Sequence, residues 1–481
     1  MAIADIHRVE VGIVLGGEHV QTGEAYDVRS PYDGSPVALV HRASSDEVER
    51  AIAGAAEAFE TTRRLPSWQR EQVLERIAAE IEARRDELAR TIALEAGKPL
   101  KSARVEVERA AFTFSIAAEE SKRIYGEIVP LDWLPGNEGR VAQVRRVALG
   151  PVSGITPFNF PLNLVAHKVA PALAAGNPIV LRPASQTPVT AITLGRIVLE
   201  AGWPADAIAV LPCSTEIARS LIEDDRLKLL TFTGSPVVGW GLKRRAGRKR
   251  VTLELGGNAA VVVNGDADVA YAAERIAWGG FAYAGQTCIS VQRVFVHEDV
   301  YDAFAAELVR RVESLVVGDP LDESTDVGPV IDEANADRIE AWLDEALAAG
   351  ATVLVGGERE GTLWRPTVLA DAPEHVRVSC AEAFAPVVGL TRFSDVQEAI
   401  DAAGRSEFGL QAGIFTNDLR VVDDAFDRID VGGLIVNDVP TFRIDHMPYG
   451  GVKSSGFGRE GLRYAIEDMT ELKLLAVNRR G

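Results

Sequence analysis

Cys288 lies in the stretch FAYAGQTCIS and is one of only three cysteines among 481 residues. A thiolate is a good nucleophile toward a carbonyl carbon, although a free cysteine more often fills a buried apolar site. Glu254 lies 34 residues earlier in VTLELGGNAA, where it alternates with apolar residues as strand residues do. Its carboxylate would suit a general base. These residues allow nucleophilic catalysis, and the alternatives are a core thiol and a glutamate on the wet face of a strand.

A third candidate, Asn159, follows an apolar run in GITPFNFPLNL and lies between two prolines. Asparagine also suits such a turn for structural reasons alone. Other catalytic schemes find little support, because the chain has no GxSxG or HExxH motif and its seven histidines show no ligand spacing. The cysteines share no CxxC spacing, so we predict neither a metal site nor a dithiol redox motif.

Two glycine-rich stretches are candidates for binding a nucleotide phosphate. Residues 456–461 spell GFGREG, but only 20 residues follow, so the βαβ unit of a dinucleotide fingerprint does not fit. In TFTGSPVVGWGLKRRAG an apolar strand runs into Gly234 and then a helical pattern, with Ser235 as N-cap and Pro236 at the first helical position. Free backbone N–H groups at such a helix start favour an anion, and the alternative is an ordinary strand–helix turn.

The composition bounds the class of protein. A net charge of −19 argues against a nucleic-acid partner and against an anionic membrane surface. The start of the chain lacks a basic region followed by a long apolar run, and no apolar run reaches membrane-spanning length. We therefore predict a cytoplasmic protein of two or three domains, without a membrane or nucleic-acid partner.

The elements that must position these residues fall into a helical segment and two βα series. Ser44 and Glu47 have capping-box spacing, and a second helical pattern runs from about Ser67 to near Gly97. From residue 150, the apolar runs VSGITPF, PIVLRP, AIAVLP and KLLTFTG alternate with helical patterns. A second series begins with NAAVVV, and QRVFVHE follows Cys288. This alternation predicts parallel sheets covered by helices.

Several segments, taken in order, resemble the aldehyde dehydrogenase superfamily over nearly the whole chain. They are LEAGKP, TPFNFPL, APALAAGNPIVLRPASQTP, FTGSPVVG, LELGG, GQTCIS, EAFAPV and MPYGGVKSSGFGRE. The stretch VNDVPTFRIDHMPYGG is similar to the branch with lactaldehyde, phosphonoacetaldehyde and semialdehyde dehydrogenases. The resemblance implies an α/β fold with two Rossmann-type α/β domains and a small β oligomerisation element.

The resemblance also implies the domain limits and the assembly. The nucleotide-binding domain would comprise residues 1–124 and 151–253, and the catalytic domain residues 254–440. The oligomerisation element would comprise residues 125–150, as a β-hairpin, and residues 465–481. The alternating pattern of 140–149 predicts an edge strand that pairs with another subunit. We expect a homodimer or homotetramer.

The family mechanism assigns a role to each catalytic candidate. The Cys288 thiolate would attack an aldehyde, and the Asn159 amide and the Cys288 backbone N–H would donate to the oxyanion. After hydride transfer to NAD or NADP, Glu254 would activate the water that releases the carboxylic acid. Lys168, in LVAHKVAPAL, would belong to the same proton network, and its alternative is a surface lysine on a helix.

Cofactor contacts are inferred by position. Gly234 and Ser235 would lie at the pyrophosphate, and Glu382 and Phe384 would hold the nicotinamide ribose and ring. The full predicted set is Thr156, Pro157, Phe158, Arg182, Ser185, Gly234, Ser235, Gly239, Leu255, Glu382 and Phe384.

The adenosine end of the cofactor departs from the family pattern. Arg182 stands where the family usually has lysine, and Ser185 stands where NAD-preferring members often have glutamate. Without that carboxylate, and with an arginine able to pair with phosphate, we expect NADP to be accepted.

Two arginines are candidates for substrate recognition. Arg109 lies in VEVERAAF, and Arg443 lies in the segment that lines the substrate mouth in the family. If both face the substrate, they would suit an aldehyde with an anionic group, and the alternative is that both form structural salt bridges. Thr287, where phosphate-handling relatives carry arginine, weakens the case for a phosphate.

Two rival functions remain open at this stage. A CoA-acylating member would transfer the acyl group to CoA, but such enzymes usually lack the base that Glu254 supplies. A binding or structural protein on the same fold would need no turnover, but all the catalytic residue types are present.

Overall fold

The computed structural model describes residues 9–479. The first eight residues of the predicted segment 1–124 and the last two of the segment 465–481 therefore lie outside the described residues. The helices are α1 (Ser45–Thr62), α2 (Ser67–Ala83), α3 (Arg85–Ala96), α4 (Leu100–Ser121), α5 (Asn163–Ala175), α6 (Pro188–Glu200), α7 (Arg219–Glu223), α8 (Pro236–Arg245), α9 (Val269–Phe281), α10 (Glu298–Glu313), α11 (Glu333–Ala348), α12 (Arg377–Cys380), α13 (Val396–Gly404), α14 (Leu419–Arg428) and α15 (Leu462–Asp468), with short turns at Ala205–Ala207 and Ala282–Gly285.

Most of the strands are short and lie between these helices. They are β1 (Val9–Val11), β2 (Ile13–Leu15), β3 (Glu18–Val20), β4 (Glu24–Arg29), β5 (Pro36–Arg42), β6 (Glu127–Pro130), β7 (Arg140–Ala148), β8 (Val152–Ile155), β9 (Ile179–Arg182), β10 (Ile208–Val210), β11 (Leu229–Thr233), β12 (Arg250–Glu254), β13 (Ala259–Val263), β14 (Val291–His297), β15 (Thr352–Val355), β16 (Arg359–Glu360), β17 (Leu363–Trp364), β18 (Thr367–Ala370), β19 (Val387–Phe393), β20 (Phe408–Gly409), β21 (Gln411–Phe415), β22 (Gly433–Val436), β23 (Val452–Lys453), β24 (Gly456–Phe457) and β25 (Thr470–Asn478).

The helical segment begins as predicted and is more divided than predicted. The Ser44 side chain accepts from the backbone of Glu47, and the Glu47 carboxylate accepts from the Ser44 backbone, which confirms the capping box. The pattern from Ser67 was expected to be one helix, but the backbone leaves helical geometry at Arg84 (φ −102°, ψ 21°) and separates α2 from α3. Gly97 ends α3 with φ 67°, in the left-handed region that suits glycine.

The first large sheet has the strand order β24-β12-β11-β8-β9-β10-β2-β3. Its central strands β12, β11, β8, β9 and β10 are parallel, and the flanking strands pair antiparallel. The chain adds β9 and β10 on one side of β8, and then β11 and β12 on the other. Such a reversal opens a crevice at the carboxyl ends of the strands, where ligands bind in this type of fold.

The second large sheet has the order β15-β18-β19-β14-β13-β21-β22, and only the β15–β18 pair is antiparallel. The predicted parallel sheets of the α/β class are therefore confirmed. Strand β13 is buried along its whole length, as expected for a strand covered on both faces. Separate hydrophobic cores pack against the two sheets. The domain limits stay a prediction, and β24, which joins the first sheet, falls outside the segments assigned to a domain.

The predicted β-hairpin of residues 125–150 is present as β6 and β7. The prediction of an edge strand over 140–149 is wrong, because β7 pairs with β6 on one side and with all nine residues of β25 on the other. The two edges of this sheet are instead formed by β6 and β25. Eight of the nine residues of β25 are exposed, including Leu472, Leu474 and Leu475.

Candidate active site

Two sheet edges meet at the site. The carboxyl ends of the first sheet carry Thr156–Asn159 after β8, Gly234 after β11, and Glu254 at the end of β12. The amino ends of the second sheet carry Cys288 just before β14 and Glu382–Phe384 before β19. The Asn159 side chain joins the two edges, because its Nδ2 donates to the Gln286 carbonyl at 2.9 Å. Residues far apart in sequence are thus brought together by strand ends.

Cys288 is presented by a tight turn after α9. Tyr283, Ala284 and Gly285 have φ values of 51°, 53° and 69°, a left-handed conformation that costs non-glycine residues energy. A Cβ at Gly285 would lie 2.0 Å from the Ala385 carbonyl oxygen, so only glycine fits there. The Thr287 N–H donates to the Gly285 carbonyl at 2.8 Å and closes the turn. Strained backbone held in this way is typical of functional sites.

The Cys288 thiol is partly buried and lies beside a phenol. Its Sγ is 2.9 Å from the hydroxyl oxygen of Tyr449. Burial raises the pKa of the Cys288 thiol to about 12, while the Tyr449 hydrogen bond and the nearby Arg443 charge act in the opposite direction. This environment therefore favours the thiol over the thiolate.

Asn159 lies in the turn between β8 and α5 and is buried. One N–H of its amide is used by the Gln286 carbonyl, and the amide has a second. Gln286 is fixed in turn, because its Oε1 accepts from the Ile331 N–H at 2.9 Å. The amide is thus held in one orientation beside the turn that carries Cys288.

Glu254 ends β12 and is 3% exposed. Both of its carboxylate oxygens are buried without a hydrogen-bond partner among the described residues. Burial, followed by the nearby charge of Glu460, raises its pKa well above the ordinary value for glutamate. A buried carboxyl group without partners is costly, and in an active site it is typical of a proton acceptor.

Lys168 is fully buried on α5, so the alternative of a surface lysine is wrong. Its Nζ donates to the hydroxyls of Thr231 (3.0 Å) and Thr233 (2.7 Å) and lies 3.4 Å from Glu460. Burial lowers the pKa of Lys168, although the charges of Glu460 and Glu254 oppose that shift. Lys168 therefore links the helix to β11, next to the strand that carries Glu254.

Three glycines allow close packing at the site. Gly256 and Gly257 lie between β12 and β13, and Gly450 packs against Glu254 at the end of β12. A Cβ at Gly256 would lie 2.2 Å from a Glu382 carboxylate oxygen, and one at Gly257 would lie 2.4 Å from the Cys288 carbonyl. The Gly257 N–H also donates to Glu382 at 3.1 Å. A Cβ at Gly450 would lie 2.9 Å from Glu254 Oε1. Side chains at these positions would push the candidate residues apart.

The predicted nicotinamide contacts lie together. The rings of Phe158 and Phe384 meet edge to face, with centroids 5.9 Å apart. Phe384 has φ 48°, so its backbone is strained in the same way as the Cys288 turn. Burial raises the pKa of the Glu382 carboxyl to about 7, although the hydrogen bond from the Gly257 N–H and the charge of Arg338 act to lower it.

The predicted phosphate site has the expected backbone. Ser235 is the N-cap of α8 and Pro236 is its first residue, as predicted, but the Ser235 side chain makes no capping hydrogen bond. A Cβ at Gly239 would lie 2.4 Å from Leu255, so glycine lets the helix pack closely on the end of the sheet. The first turn of α8 also leaves Val237 86% exposed. A free helix start beside exposed apolar surface fits a ligand with both phosphate and apolar parts.

Arg182 ends β9, and its Nε donates to the Cys213 carbonyl at 3.1 Å. Ser185 follows in the loop before α6 and is partly exposed. The Thr156 N–H donates to the Arg182 carbonyl at 3.1 Å, so this predicted contact lies at the same sheet edge. Pro157 follows Thr156 in the same turn.

Arg109 and Arg443 both line a cavity of about 540 Å³, whose wall also includes Asn159, Cys288 and Tyr449. Arg109 pairs with Asp445 through two nitrogens, at 3.0 and 2.7 Å. Burial raises the pKa of Asp445, but the hydrogen bond from His167 and the charge of Arg109 outweigh it and hold the pKa below the usual value for aspartate.

Arg443 pairs with Glu460 at 3.0 Å, yet its Nε is buried without a hydrogen-bond partner among residues 9–479. Both arginines therefore have carboxylate partners and also face the cavity. The structure shows elements of both alternatives that the sequence left open.

Three residues of this site are not predicted by the sequence. Tyr449 lies in the segment MPYGG, and its hydroxyl touches the nucleophile candidate. Glu460 lies in the GFGREG string, which does not fit a dinucleotide fingerprint, yet it joins Lys168 to Arg443. Asp445 pairs with Arg109. The signal was a tyrosine and two acidic residues within one glycine-rich segment, but pairing cannot be inferred from spacing.

The fold and the site define a family. The chain belongs to the aldehyde dehydrogenase family, whose model matches residues 19–475. The 3-sulfolactaldehyde dehydrogenase of Priestia aryabhattai is 45% identical over 470 residues, which cover 98% of this chain and 98% of that protein. Aspartate-semialdehyde dehydrogenase 1 of Pseudomonas canavaninivorans is 41% identical over 452 residues, which cover 94% and 96%. The predicted family and branch are confirmed.

Solved structures agree with the fold. Aldehyde dehydrogenase 21 of Physcomitrella patens, in complex with the reaction product succinate, has a TM-score of 0.97 and 44% identity, and the match covers 99% of this chain and 100% of that one. The glyceraldehyde-3-phosphate dehydrogenase GapN of Methanocaldococcus jannaschii, complexed with NADP, has a TM-score of 0.91 and 38% identity, covering 95% and 100%. The predicted aldehyde dehydrogenase-like fold is confirmed.

Among the helices of residues 9–479, none combines the length and the apolar character needed to cross a membrane. The cytoplasmic location stays a prediction.

Proposed function

We propose that this protein oxidises a small anionic aldehyde to its carboxylic acid, with NAD or NADP, through covalent intermediates on Cys288. The proposal rests on two residues of the same site. Cys288 lines the cavity, and the buried carboxylate of Glu254 has no hydrogen-bond partner among the described residues. One group suits nucleophilic attack, and the other suits activation of water.

In the first step, the Cys288 thiolate sulfur bonds to the carbonyl carbon, the carbon–oxygen π bond breaks, and the carbonyl oxygen becomes an oxyanion. The second N–H of the Asn159 amide and the Cys288 backbone N–H are the proposed donors to it. Because the link from Asn159 to Gln286 fixes the amide, the donor needs no reorganisation when charge develops.

A nicotinamide cofactor, when bound, accepts the hydride that the thiohemiacetal carbon loses. The chain offers a fitting site for it, with Gly234 and Ser235 at a free helix start and Glu382 and Phe384 at the opposite sheet edge. The glycine at 256 leaves room for the Glu382 carboxylate, which could accept hydrogen bonds from a ribose.

In the last step, Glu254 takes a proton from water, and the water oxygen attacks the thioester carbon. The carbon–sulfur bond breaks, the acid leaves, and the sulfur is released as the thiolate that began the cycle. The raised pKa of Glu254 makes it a stronger base than an exposed glutamate. This base favours hydrolysis over transfer of the acyl group to CoA.

An anionic substrate is supported by the cavity and by the relatives. The Arg443 Nε is a buried N–H without a partner in the described chain, and Arg109 lies on the same cavity. The relatives named above act, by their names, on a sulfonated aldehyde and on aspartate semialdehyde, and one neighbour holds the dicarboxylate succinate. A charge-assisted hydrogen bond to a carboxylate or sulfonate would use the free donor.

NADP is proposed to be accepted as well as NAD. Within residues 9–479, only the Nε of the Arg182 side chain makes a hydrogen bond, so its terminal nitrogens remain to pair with a 2′-phosphate. A relative with the same fold is complexed with NADP.

One panel of aldehydes, run with both cofactors, tests the substrate and the cofactor together. We expect kcat/KM to be at least roughly tenfold higher for short aldehydes with a carboxylate or sulfonate than for hexanal or benzaldehyde, because only the anions satisfy the buried donor. We expect turnover with NADP, and Arg182→Ala should reduce kcat/KM for NADP more than for NAD. Higher efficiency on neutral aldehydes would refute the anionic substrate. Strict use of NAD would refute the acceptance of NADP.

We also propose a homodimer or homotetramer. The edge strand β25 exposes Leu472, Leu474 and Leu475, and an apolar edge strand of this length is rarely left uncovered. We expect a mass of two or four chains by light scattering, and Leu474→Glu should shift it toward one chain. A monomeric wild-type protein would contradict this proposal.

A further inference from the structure

Tyr449 lies directly beside the candidate nucleophile. Its hydroxyl oxygen is 2.9 Å from Cys288 Sγ, while the side chain as a whole is 3% exposed. When the sulfur is a thiol, either group can donate the hydrogen bond. When the sulfur is a thiolate, only the phenol can donate. The contact therefore strengthens when the cysteine ionises, because a hydrogen bond to a charged acceptor is stronger than one between neutral groups.

Arg443 acts on the same phenol from the other side. Its guanidinium carbon lies 3.7 Å from the centroid of the Tyr449 ring, a stacked cation–π contact. Glu460 fixes the guanidinium, because its carboxylate accepts a hydrogen bond from Arg443 Nη2 at 3.0 Å. A positive charge over the ring makes the O–H more polar and a better donor. Glu460, Arg443, Tyr449 and Cys288 thus form a buried chain that ends on sulfur.

We propose that Tyr449 is a catalytic residue, whose hydroxyl donates to the Cys288 thiolate and favours its formation, with Arg443 as the positioning residue that orients and polarises the phenol. This rests on the proposed function only in taking Cys288 as the nucleophile. A phenylalanine would fill the same space and pack on Arg443 equally well, so the hydroxyl is the specific feature.

The other charges around the sulfur explain why such a donor is needed. After burial, which is the largest influence, Glu382 and Glu254 also raise the pKa of Cys288, whereas the Tyr449 hydrogen bond and the Arg443 charge lower it. Desolvation and the two carboxylates thus oppose ionisation. Tyr449 and Arg443 are the two neighbours that favour it.

The test is alkylation of Cys288 by iodoacetamide, measured by peptide mass spectrometry across a pH series without aldehyde or cofactor. The thiolate sulfur bonds to the reagent carbon and iodide leaves, so the rate follows the thiolate fraction. In Tyr449→Phe we expect the rate on the rising part of the pH profile to fall by roughly tenfold, because a hydrogen bond to a charged group is lost.

Two internal references accompany this test. Cys380 is exposed and should be alkylated at the same rate in both proteins. Tyr301→Phe, a change in a buried tyrosine of α10, should leave the Cys288 profile unchanged. An unshifted Cys288 profile in Tyr449→Phe, or an equal fall in Tyr301→Phe, would overturn the proposal even if the enzyme oxidises aldehydes. A shifted profile in a protein without dehydrogenase activity would refute only the proposed function.

Discussion

Cys288→Ala should abolish aldehyde oxidation, with kcat falling by at least about 10⁴-fold, because removal of a catalytic nucleophile leaves only the binding and electrostatic contributions. The change deletes one sulfur atom at the cavity wall. Its effect on folding should be small, since the side chain is only partly buried and, among the described residues, its hydroxyl partner Tyr449 is its one hydrogen-bond contact. The measurement is reduced-cofactor formation, both in the first turnover and in the steady state.

Cys380→Ala is the matched control for this prediction. Cys380 ends α12, is exposed, and lies away from the cavity, so its variant should keep the wild-type rate within about twofold. Retention of more than a few per cent of the activity in Cys288→Ala would exclude a covalent mechanism on this residue. If the wild-type protein itself formed no reduced cofactor, a binding protein with the same fold would be the better description.

Much of the fold could be predicted because alternating strands and helices leave local signals. The apolar runs before residues 156, 182, 211 and 234 became β8, β9, β10 and β11, since a strand buried on both faces must be apolar throughout. The capping box at Ser44 and the helix start at Pro236 are also local patterns. The break at Arg84 was missed because the apolar spacing continues across it.

The edge prediction for β7 failed for a different reason. An alternating pattern shows that a strand has two unlike faces, but it does not show how many neighbours the strand has. Its second neighbour, β25, lies more than 300 residues later in the chain. Such pairing depends on the complete fold, so the segment 140–149 alone could not reveal it.

The candidate site shows the same division between local and long-range information. Cys288, Glu254 and Asn159 were identified because each lies in a short segment that resembles the family, and each is beside the cavity or the sheet edge that borders it. Arg109 pairs with Asp445, and Arg443 pairs with Glu460. Neither ion pair could be predicted from the sequence. Buried charges take the partners that the packing brings within reach, and composition does not specify them.

Glu254→Gln should separate the two halves of the reaction. The amide keeps the shape of the side chain but cannot take a proton from water, so the thioester should form and then persist. We expect a first burst of about one reduced cofactor per active site, followed by a steady-state rate lowered by roughly 10³-fold. Mass spectrometry of the quenched protein should find the acyl group on the peptide that contains Cys288.

The pH profile and a chemical rescue make this prediction specific. Because burial and Glu460 raise the pKa of Glu254, the wild-type kcat should rise as the pH increases through that pKa and the carboxyl loses its proton, and the variant should lack this rise. Hydroxylamine attacks thioesters without a general base, so it should speed turnover in the variant and release a hydroxamate. If Glu254→Gln lost the burst as well, the carboxylate would be needed before hydride transfer, and its assignment to the hydrolysis of the thioester would be wrong.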